Sequence, residues 1–581
     1  MQGTVFLHSG ELQVSAVDLD AGGRAGWNVI ISRVYRSRTI GLSPIGMGWD
    51  ASIFKHLRAL PNGNVEYHDG AGEIRHFKPQ SSSAGYLGPK GLFLRLARSE
   101  RGWTLIDQKM RITQFDELGR LVSEADAFSI PWNYTAGNTI LYLNGPDGQL
   151  QQIVDPVGRV TRITYYANDD TSPGAAGGLL KEVTDWRGRS VTYLYDNQHR
   201  LTEVRLPAVA NATSGAGRPT IRYGYHAGAV SFNDMVELGP NLVSITDPNE
   251  AATAGPPRVT YSYFLTGPNR DRIEKETWPT GETVTFNYVS PTQVEVKDAL
   301  GQVRSYTING TGIDAQIAAI VERQIPTSTT PLGTLPTITA TGIDTALQDR
   351  TWSYEYSAEE GLLTKLILAG VRETVQTYQA APPAPGRVLA STTTSPVTPP
   401  ATSSLRAVST TSAPAGAITR AFTYQNADPT CTNACAPFLQ SVAANGLAIE
   451  MPEAHRGKLE PLATNDDIEA KTKFDAQGRP IAVTSTGGTD TAAAGSAAAI
   501  TYRPDTGPLH ARGEIAENNR GGEITKFDYP SPDQTVILEP RGITRTIDFD
   551  SWRRPSHVSV AGPALTFDER FIYDATGRLV R

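Results

Sequence analysis

The sequence FDELGRL at Phe115–Leu121 decides the fold, because the same phrase recurs along the chain with its key positions kept. An aromatic or β-branched residue is followed by Asp, two variable residues, Gly, Arg and an apolar residue. Close copies lie at Val154–Val160, Thr184–Ser190, Tyr195–Leu201, Phe474–Pro480 and Tyr573–Leu579, and degenerate copies at Thr246–Ala252, Lys297–Val303 and Phe549–Pro555. Recurrence of one turn-forming phrase predicts a repeat protein.

Each position in the phrase suits a tight reversal between two strands. The aromatic residue ends one strand, and the Asp carboxylate can accept hydrogen bonds from backbone N–H groups of the turn. Gly supplies a positive φ without steric cost. Arg begins the next strand, where its guanidinium can lie over the aromatic ring or bond turn carbonyls. We therefore predict structural corners at Asp116, Gly119 and Arg120; Asp155, Gly158 and Arg159; Asp475, Gly478 and Arg479; and Tyr573, Asp574, Gly577 and Arg578.

The segments between the corners alternate with period two. Val191, Tyr193 and Tyr195 share one face, as do Val259, Tyr261 and Tyr263 in a later segment. Such alternation is typical of half-buried antiparallel strands, and we expect the outer tyrosines to keep their hydroxyls in water. Because the copies are irregularly spaced, the pattern excludes a strictly periodic propeller. It favours an all-β, extended antiparallel sheet of hairpins wound as a spiralling shell.

Composition excludes several functional classes. The 581-residue chain carries 53 Lys and Arg against 60 Asp and Glu, for a net charge of -7. It lacks the basic stripe that nucleic-acid binding requires. It also lacks an apolar run of about 18 residues, so no membrane span is predicted. The first residues, MQGTVFLHSGEL, do not show the basic and apolar regions of a signal peptide.

The patterning divides the chain into four regions. Residues 1–80 predict a small N-terminal β cap, since an array of repeats needs a cap over its open face. Residues 81–325 form the first part of the repeat shell. Residues 326–420 are Thr- and Pro-rich loops with degenerate strands, although runs such as Ser391–Ser395 can also be edge strands. Residues 421–581 form the second part of the shell, which is truncated.

The repeated phrase resembles the YD repeats of the Rhs family, and the N-terminal segment resembles the domain that precedes those repeats. The N-terminal matches are Gly10–Leu12, Asp18–Asp20, Arg33–Arg38 and Gly46–Trp49. The resemblance implies a large secreted, surface or contact-delivered protein. Its repeats would wind into a hollow shell that, in many bacterial members, encloses a variable C-terminal toxin domain.

The sequence also departs from a complete member of that family. It ends at Arg581 in the middle of the array, and the family's self-cleavage motif at the end of the shell is not found. Asp155–Gly158 resembles part of that motif but lies far upstream. We therefore expect this chain to be a piece of a longer protein, and neither a protease site nor a toxin domain is assigned.

No motif of enzyme chemistry stands out. The sequence has no phosphate-binding loop, nucleophile elbow or H-E-x-x-H motif, so we predict no catalytic, cofactor-binding or metal-binding residues. The two cysteines, Cys431 and Cys435, lie in the polar segment PTCTNACAP. They can form a small-loop disulfide, remain free thiols or supply half a metal site, and their spacing favours the first two.

Two classes of function rank ahead of a third, a carbohydrate-active enzyme, which would need two opposed carboxylates that nothing in the sequence indicates. The first is a non-enzymatic shell that encloses and delivers a C-terminal toxin in competition between cells, with further repeats and the toxin as partners. The second is a cell-surface adhesion or carbohydrate-binding module, in which aromatic strands meet surface glycans; a secretion apparatus is a further expected partner. In both, the protein is secreted or on the cell surface. The carbohydrate-binding hypothesis has five candidate sugar-facing residues, Trp132, Trp186, Trp278, Trp352 and Trp552. Packing between neighbouring strands explains these tryptophans more readily.

Overall fold

The computed structural model describes most of the chain and shows an almost entirely β protein. The described residues are 2–39, 41–80, 85–89, 94–107, 111–126, 138–211, 215–227, 240–323, 337–339, 342–344, 349–358, 361–369, 372–378, 389–396, 418–426, 437–444, 447–450, 469–475, 477, 479–486, 497–563 and 565–581. Cys431, Cys435, Gly478 and Trp132 lie outside them. Within the described residues, the helical segments are α1 (Pro248–Thr253) and the 3-10 turns Arg24–Gly26 and Gly312–Asp314.

The strands follow the chain in order. The first are β1 (Gln2–Phe6), β2 (Glu11–Asp20), β3 (Ile30–Arg36), β4 (Leu42–Ser43), β5 (Gly46–Met47), β6 (Trp49–Ala51), β7 (His56–Ala59), β8 (Val65–His68), β9 (Ile74–Pro79), β10 (Gly85–Leu87), β11 (Arg95–Ser99), β12 (Gly102–Ile106), β13 (Ile112–Phe115), β14 (Leu121–Ala125), β15 (Thr139–Asn144), β16 (Leu150–Val154), β17 (Val160–Tyr165), β18 (Leu180–Thr184), β19 (Ser190–Tyr195), β20 (Leu201–Arg205), β21 (Val209–Asn211), β22 (Gly215–Gly217), β23 (Thr220–Tyr225) and β24 (Leu242–Thr246). The remainder are β25 (Val259–Tyr263), β26 (Ile273–Thr277), β27 (Thr283–Ser290), β28 (Gln293–Lys297), β29 (Val303–Asn309), β30 (Gln316–Arg323), β31 (Thr337–Thr339), β32 (Gly342–Asp344), β33 (Arg350–Tyr356), β34 (Leu363–Leu368), β35 (Arg372–Tyr378), β36 (Leu389–Pro396), β37 (Ile418–Asn426), β38 (Pro437–Ala444), β39 (Leu447–Glu450), β40 (Glu469–Phe474), β41 (Pro480–Thr486), β42 (Ala497–Tyr502), β43 (Ile515–Arg520), β44 (Glu523–Ser531), β45 (Gln534–Leu538), β46 (Thr544–Phe549), β47 (Pro555–Gly562) and β48 (Leu565–Arg570).

Three antiparallel sheets contain most of these strands. The N-terminal sheet has the order β1-β2-β3-β6, the long sheet runs from β7 to β39, and the short sheet runs from β40 to β48. Within the long and short sheets, strands pair with their nearest neighbours in sequence, while β21–β22 and β31–β32 form separate hairpins. The expected extended sheet of successive hairpins is therefore confirmed.

The long sheet curls but is unclosed. Its first strand, β7, meets the corner before β14 through a single bridge between His56 and Arg120, and the Leu57 N–H donates to the Gly119 carbonyl oxygen over 2.8 Å. The hairpin of β8 and β9 follows β7 directly in this sheet. Residues 1–80 are thus shared between the N-terminal sheet and the start of the long sheet. The Thr-rich strand β36 pairs on both sides, with β35 and β37, so it is a strand but not an edge strand.

The core lies between the N-terminal sheet and one face of the long sheet. Val191, Tyr193 and Tyr195 are all buried on that face, which confirms the period-two alternation. The buried cluster extends from Leu12 to Ile308 and takes in aromatic residues from the β19, β23, β25 and β27 strands. The N-terminal sheet therefore helps to bury the apolar face of the long sheet as far as β29, whereas β30, β33, β34 and β35 hold no buried residue.

The outer tyrosines do not keep their hydroxyls in water, so that expectation was wrong. The Tyr195 hydroxyl donates to the Leu180 carbonyl oxygen over 2.9 Å, and Tyr263 donates in the same way to Leu242. In each case the acceptor is the first residue of the preceding strand. Similar hydrogen bonds from a tyrosine hydroxyl to a backbone carbonyl of a neighbouring strand, which we call tyrosine ties, join Tyr165 to Leu150, Tyr225 to Leu201, Tyr288 to Ile273, Tyr356 to Ile317, Tyr378 to Leu363, Tyr502 to Pro480, Tyr529 to Ile515 and Tyr573 to Pro555.

The tie predicts a difference between two tyrosines of one strand. Tyr263→Phe leaves the Leu242 carbonyl without its donor, and should lower the free energy of unfolding by about 1–3 kcal/mol in urea titration. Tyr261→Phe is the control, because Tyr261 is equally buried and its hydroxyl has no hydrogen-bond partner among the described residues. Equal effects of the two substitutions would contradict a role for the tie.

Candidate functional site

The repeat corners are held by a clamp made from a single Asp side chain. At Asp116, one carboxylate oxygen accepts the N–H groups of Leu118 and Arg120 over 3.0 and 2.8 Å. The other oxygen accepts the Arg120 Nε–H over 2.7 Å. One carboxylate thus satisfies two turn donors and also fixes the Arg side chain, which makes the reversal self-contained.

The same clamp recurs in both the long and the short sheet. The distance between Asp Oδ2 and Arg Nε is 2.6–2.8 Å in the further pairs Asp155–Arg159, Asp185–Arg189, Asp196–Arg200, Asp475–Arg479 and Asp550–Arg554. At Asp574 the backbone bonds to Thr576 and Arg578 are kept, but Oδ2 accepts the amide of Asn249 instead. Sequence reasoning missed the Asp–Arg pairing, because it considered only rings and carbonyls as partners of Arg.

The Gly position of the corner is left-handed in the copies of the phrase where it is described, except in Thr246–Ala252, where Glu250 takes that position within the α1 helix. Gly119, Gly158 and Gly577 have φ values of +80°, +85° and +92°. The same position holds His199 in the close copy Tyr195–Leu201 and Arg553 in the degenerate copy Phe549–Pro555, at φ values of 60° and 61°. A non-glycine residue there carries backbone strain, so the clamp maintains the corner even where Gly has been lost.

The corner Arg also contacts the aromatic ring of the following repeat. The Arg554 guanidinium lies 4.0 Å from the Tyr573 ring centroid, and that tyrosine donates to the carbonyl of Pro555, the residue after the Arg. The same arrangement joins Arg200, Leu201 and Tyr225, and Arg479, Pro480 and Tyr502. It also joins Arg272, Ile273 and Tyr288, where the Arg lies outside the repeated phrase. An Arg–apolar pair in one repeat therefore fixes the tyrosine of the next.

A buried ion pair lies at the centre of the interface between the N-terminal and long sheets. Arg33 and Asp18 are both fully buried, with Nε 2.7 Å from Oδ2. The Asp18 carboxylate also accepts the Tyr193 hydroxyl over 3.0 Å. The guanidinium lies 4.7 Å from the Trp49 ring centroid and 5.1 Å from that of Tyr223. Two charges are thus sealed between the sheets by aromatic rings.

Electrostatics at this interface favour the charged pair and neutral tyrosines. Burial opposes the charge on Arg33, but the adjacent Asp18 carboxylate outweighs it and raises the arginine pKa. Burial raises the pKa of Tyr223 to about 12. Burial also holds the pKa of Tyr193 well above its usual value, and the Asp18 carboxylate adds to the shift. The tyrosines therefore remain hydrogen-bond donors across the ordinary pH range.

Other residues of the N-terminal motif contact the long sheet directly. The Tyr35 hydroxyl donates to the Pro240 carbonyl oxygen and accepts the Leu242 N–H, each over 2.9 Å. The Trp49 Nε1–H donates to the Tyr225 hydroxyl over 2.8 Å. Gly46 has a φ of +100°, and a Cβ there would come within 2.8 Å of the His199 carbonyl oxygen. The motif residues are therefore the ones that dock the two sheets.

A second group of motif residues holds the N-terminal sheet together. Arg36 Nη2 lies 2.5 Å from a carboxylate oxygen of Glu11. The Leu12 N–H donates to the Ser37 hydroxyl over 2.9 Å. These contacts join β2 to the end of β3. The N-terminal motif therefore both stabilises its own sheet and docks that sheet on the long sheet.

The described tryptophans of the sugar-facing hypothesis occupy packing positions. Trp186 donates to the Ala21 carbonyl, and Trp552 donates to the Pro207 carbonyl. Trp278 packs against the buried cluster, and Trp352 lies in the β33 strand. Among the described residues there is no group of three or more His, Cys, Asp or Glu able to hold a metal ion. No described helix is long and apolar enough to cross a membrane.

Comparison with known proteins identifies the repeat. The family model described as RHS Repeat matches residues 176–208, which contain the corners at Asp185 and Asp196, so the resemblance to Rhs/YD-repeat proteins is confirmed. No curated protein sequence matches the chain significantly.

Solved structures with a similar trace include two toxin assemblies. They are the Photorhabdus luminescens Tc holotoxin pore with a mutated TccC3, and TcdB2–TccC3 without its hypervariable C-terminal region. Each is 10% identical over 98% of this chain and 27% of its own, with TM-scores of 0.43 and 0.44. A porin-like protein from Bacteroides uniformis matches 53% of this chain and 97% of its own at 10% identity and a TM-score of 0.16. The chain spans about a quarter of the length of the toxin structures.

The buried ion pair gives a direct test of the docking interface. Arg33→Met leaves Asp18 buried without its cation, so the free energy of unfolding should fall by about 3–5 kcal/mol in urea titration. Arg205→Met is the control, because Arg205 pairs with Glu203 while 46% exposed, and should cost about 1 kcal/mol or less. If Arg33→Met lowers the free energy of unfolding no more than Arg205→Met does, the ion pair does not stabilise the docking interface.

Two glycines at equivalent corner positions have similar backbone angles but different surroundings. Comparing them separates the effect of backbone strain from the effect of a close contact with a neighbouring strand. Gly119 and Gly188 have φ values of +80° and +81°. A Cβ at Gly119 would lie 2.1 Å from the Leu57 carbonyl oxygen, whereas the space around Gly188 is open. Gly188→Ala should therefore cost about 1–2 kcal/mol. Gly119→Ala should lower the thermal unfolding midpoint further, and equal midpoints would contradict the contact between β7 and this corner.

Proposed function

We propose that this chain is the cap and part of the wall of an Rhs-type shell that encloses a toxic C-terminal domain and delivers it to another cell. The parts established for the chain are the extended antiparallel sheet of successive hairpins and the RHS repeat at residues 176–208. The observation that carries the proposal is the docking of the N-terminal sheet on one face of the curled long sheet through Arg33, Tyr35 and Trp49. A wall closed by a cap of this kind separates its inside from water.

The chemistry of the described residues supports a mechanical role rather than catalysis. Repeated Asp carboxylates are each bound to two turn N–H groups and an Arg, so their charges serve the corners. The hydroxyls of tyrosines such as Tyr195 and Tyr263, and the N–H groups of Trp186 and Trp552, donate to backbone carbonyl oxygens. A wall built from such internally satisfied elements resists opening and leaves the activity to its contents.

The proposal assigns partners and location. Further repeats complete the wall, a C-terminal toxin is the content, and a secretion apparatus carries the protein to the cell surface or the medium. Adhesion to surface glycans is the competing function, and binding of this chain to a glycan array would favour it.

Protection from proteolysis tests the proposal. The complete natural reading frame that contains this chain should carry a non-repetitive domain after the repeats. In the intact protein, that domain should resist thermolysin until urea unfolds the wall. The same domain expressed alone is the control and should be digested without urea. A reading frame without such a domain, or a domain digested equally fast in both forms, would contradict the proposal.

A further inference from the structure

The corners of the short sheet rest on the long sheet along a polar seam. Asn249, in α1, accepts the Ala575 N–H over 2.9 Å and donates to the Asp574 carboxylate over 2.9 Å. At another corner, Trp552 donates its indole N–H to the Pro207 carbonyl oxygen over 3.2 Å. The remaining contacts of the seam join Asn138 to the Gln477 carbonyl, Arg512 to the Val157 carbonyl, Arg187 to Asp533, Arg189 to the Ser551 carbonyl, Ser551 to the Ala208 carbonyl, and Arg24 of the N-terminal segment to Asp505.

The seam contacts have a fixed register. Moving along the long sheet from Asn138 to Asn249, the partners in the short sheet ascend in the same order from Gln477 to Thr576. Between the long and the short sheet, the separation in sequence of hydrogen-bonded partners stays within 325–362 residues. Arg24 of the N-terminal segment is 481 residues from Asp505 and does not belong to this register. If the two sheets met by chance, neither the order of the contacts along both sheets nor the sequence separation of the partners would be expected to stay constant. The short sheet therefore follows the path of the long sheet one turn later.

One position of the repeated phrase recurs in the seam. It is the second variable residue, which lies two places after the corner Asp. Val157, Arg187, Gln477, Trp552 and Thr576 occupy this position in the seam corners, and each contacts the other sheet through its side chain or its carbonyl oxygen. In the corner at Asp298, which is not part of the seam, the same position holds Leu300 with 90% of its surface exposed.

The position has the geometry that docking requires. The backbone N–H of the second variable residue donates to the corner Asp, so the amide of this residue is satisfied inside the turn. Its carbonyl and side chain remain free to point away from the sheet that carries the corner. Because the clamp fixes the backbone, substitutions at this position change what the corner contacts without changing the turn itself.

We propose that the second variable residue of each seam corner is the docking position through which one turn of the wall recognises the next, with a period of about 340 residues. The proposal concerns assembly of the wall and holds whatever the wall contains. In the described part of the chain, the contacts identified across the seam are hydrogen bonds and ion pairs whose carboxylates, Asp505 and Asp533, are 41% and 57% exposed, so the seam should open before either sheet unfolds.

Amide hydrogen exchange on the whole chain tests the docking from the side of the long sheet. Asn249→Ala removes the acceptor of the Ala575 N–H while leaving every residue of the short sheet unchanged. Exchange at Ala575 should become roughly tenfold faster or more, as expected for loss of about 1.4 kcal/mol of local protection. The Arg578 N–H, bound within its own corner, should change far less. The control is Asn287→Ala, because Asn287 contacts only Glu295 of its own sheet among the described residues.

A second pair of variants examines the docking position itself. Trp552→Ala removes a seam contact at the neighbouring corner and should also accelerate exchange at Ala575, whose N–H bond crosses the seam, whereas Leu300→Ala, at the same position of a corner outside the seam, should leave it unchanged. Unaltered exchange at Ala575 in both Asn249→Ala and Trp552→Ala would overturn the proposal. So would uniform acceleration across the short sheet, since that would show unfolding rather than undocking.

Discussion

The carboxylate of the corner Asp is the interaction on which the rest of the structure depends. One oxygen takes two N–H donors of the reversal, and the other fixes the Arg that begins the next strand. Five residues therefore reverse the chain without help from a distant element. Because the same group orients the Arg, it also aims the guanidinium at the tyrosine of the next repeat. A local turn thereby sets a contact between repeats, and the repeats pair in order into one curled sheet.

The covering of the apolar face depends on a second and costlier arrangement. Arg33 and Asp18 bring two opposite charges into the interior, where separation of either one from its partner is heavily penalised. Trp49, Tyr223 and Tyr193 surround the pair with rings and a hydroxyl. An interface of this kind tolerates little relative movement of the two sheets, because a shifted N-terminal sheet would leave a buried charge without its surrounding partners. It accounts for the spacing of the motif from Asp18 to Trp49, which serves one docking geometry.

Local features were predictable from the sequence, and distant ones were not. The corner turns and the alternating strands could be predicted, since Asp, Gly and a period of two act within a few residues. The tyrosine ties could not be predicted, because Tyr225 and Leu201 approach only after the hairpins have paired. The expectation of hydrated hydroxyls failed for that reason: an outer position on one strand is covered by the next repeat. The seam was beyond sequence reasoning, since nothing in the pattern near Asn249 indicates Asp574 as its partner.

Corners arranged in register should wind this chain into successive turns of one wall. A cryo-electron microscopy reconstruction of the intact chain, at a resolution that separates strands, tests it most directly. The account predicts two turns running in the same direction, with the corner at Asp574 seated on the α1 helix. It would be contradicted by a short sheet that lies elsewhere on the long sheet, crosses it at an angle, or occupies no fixed position.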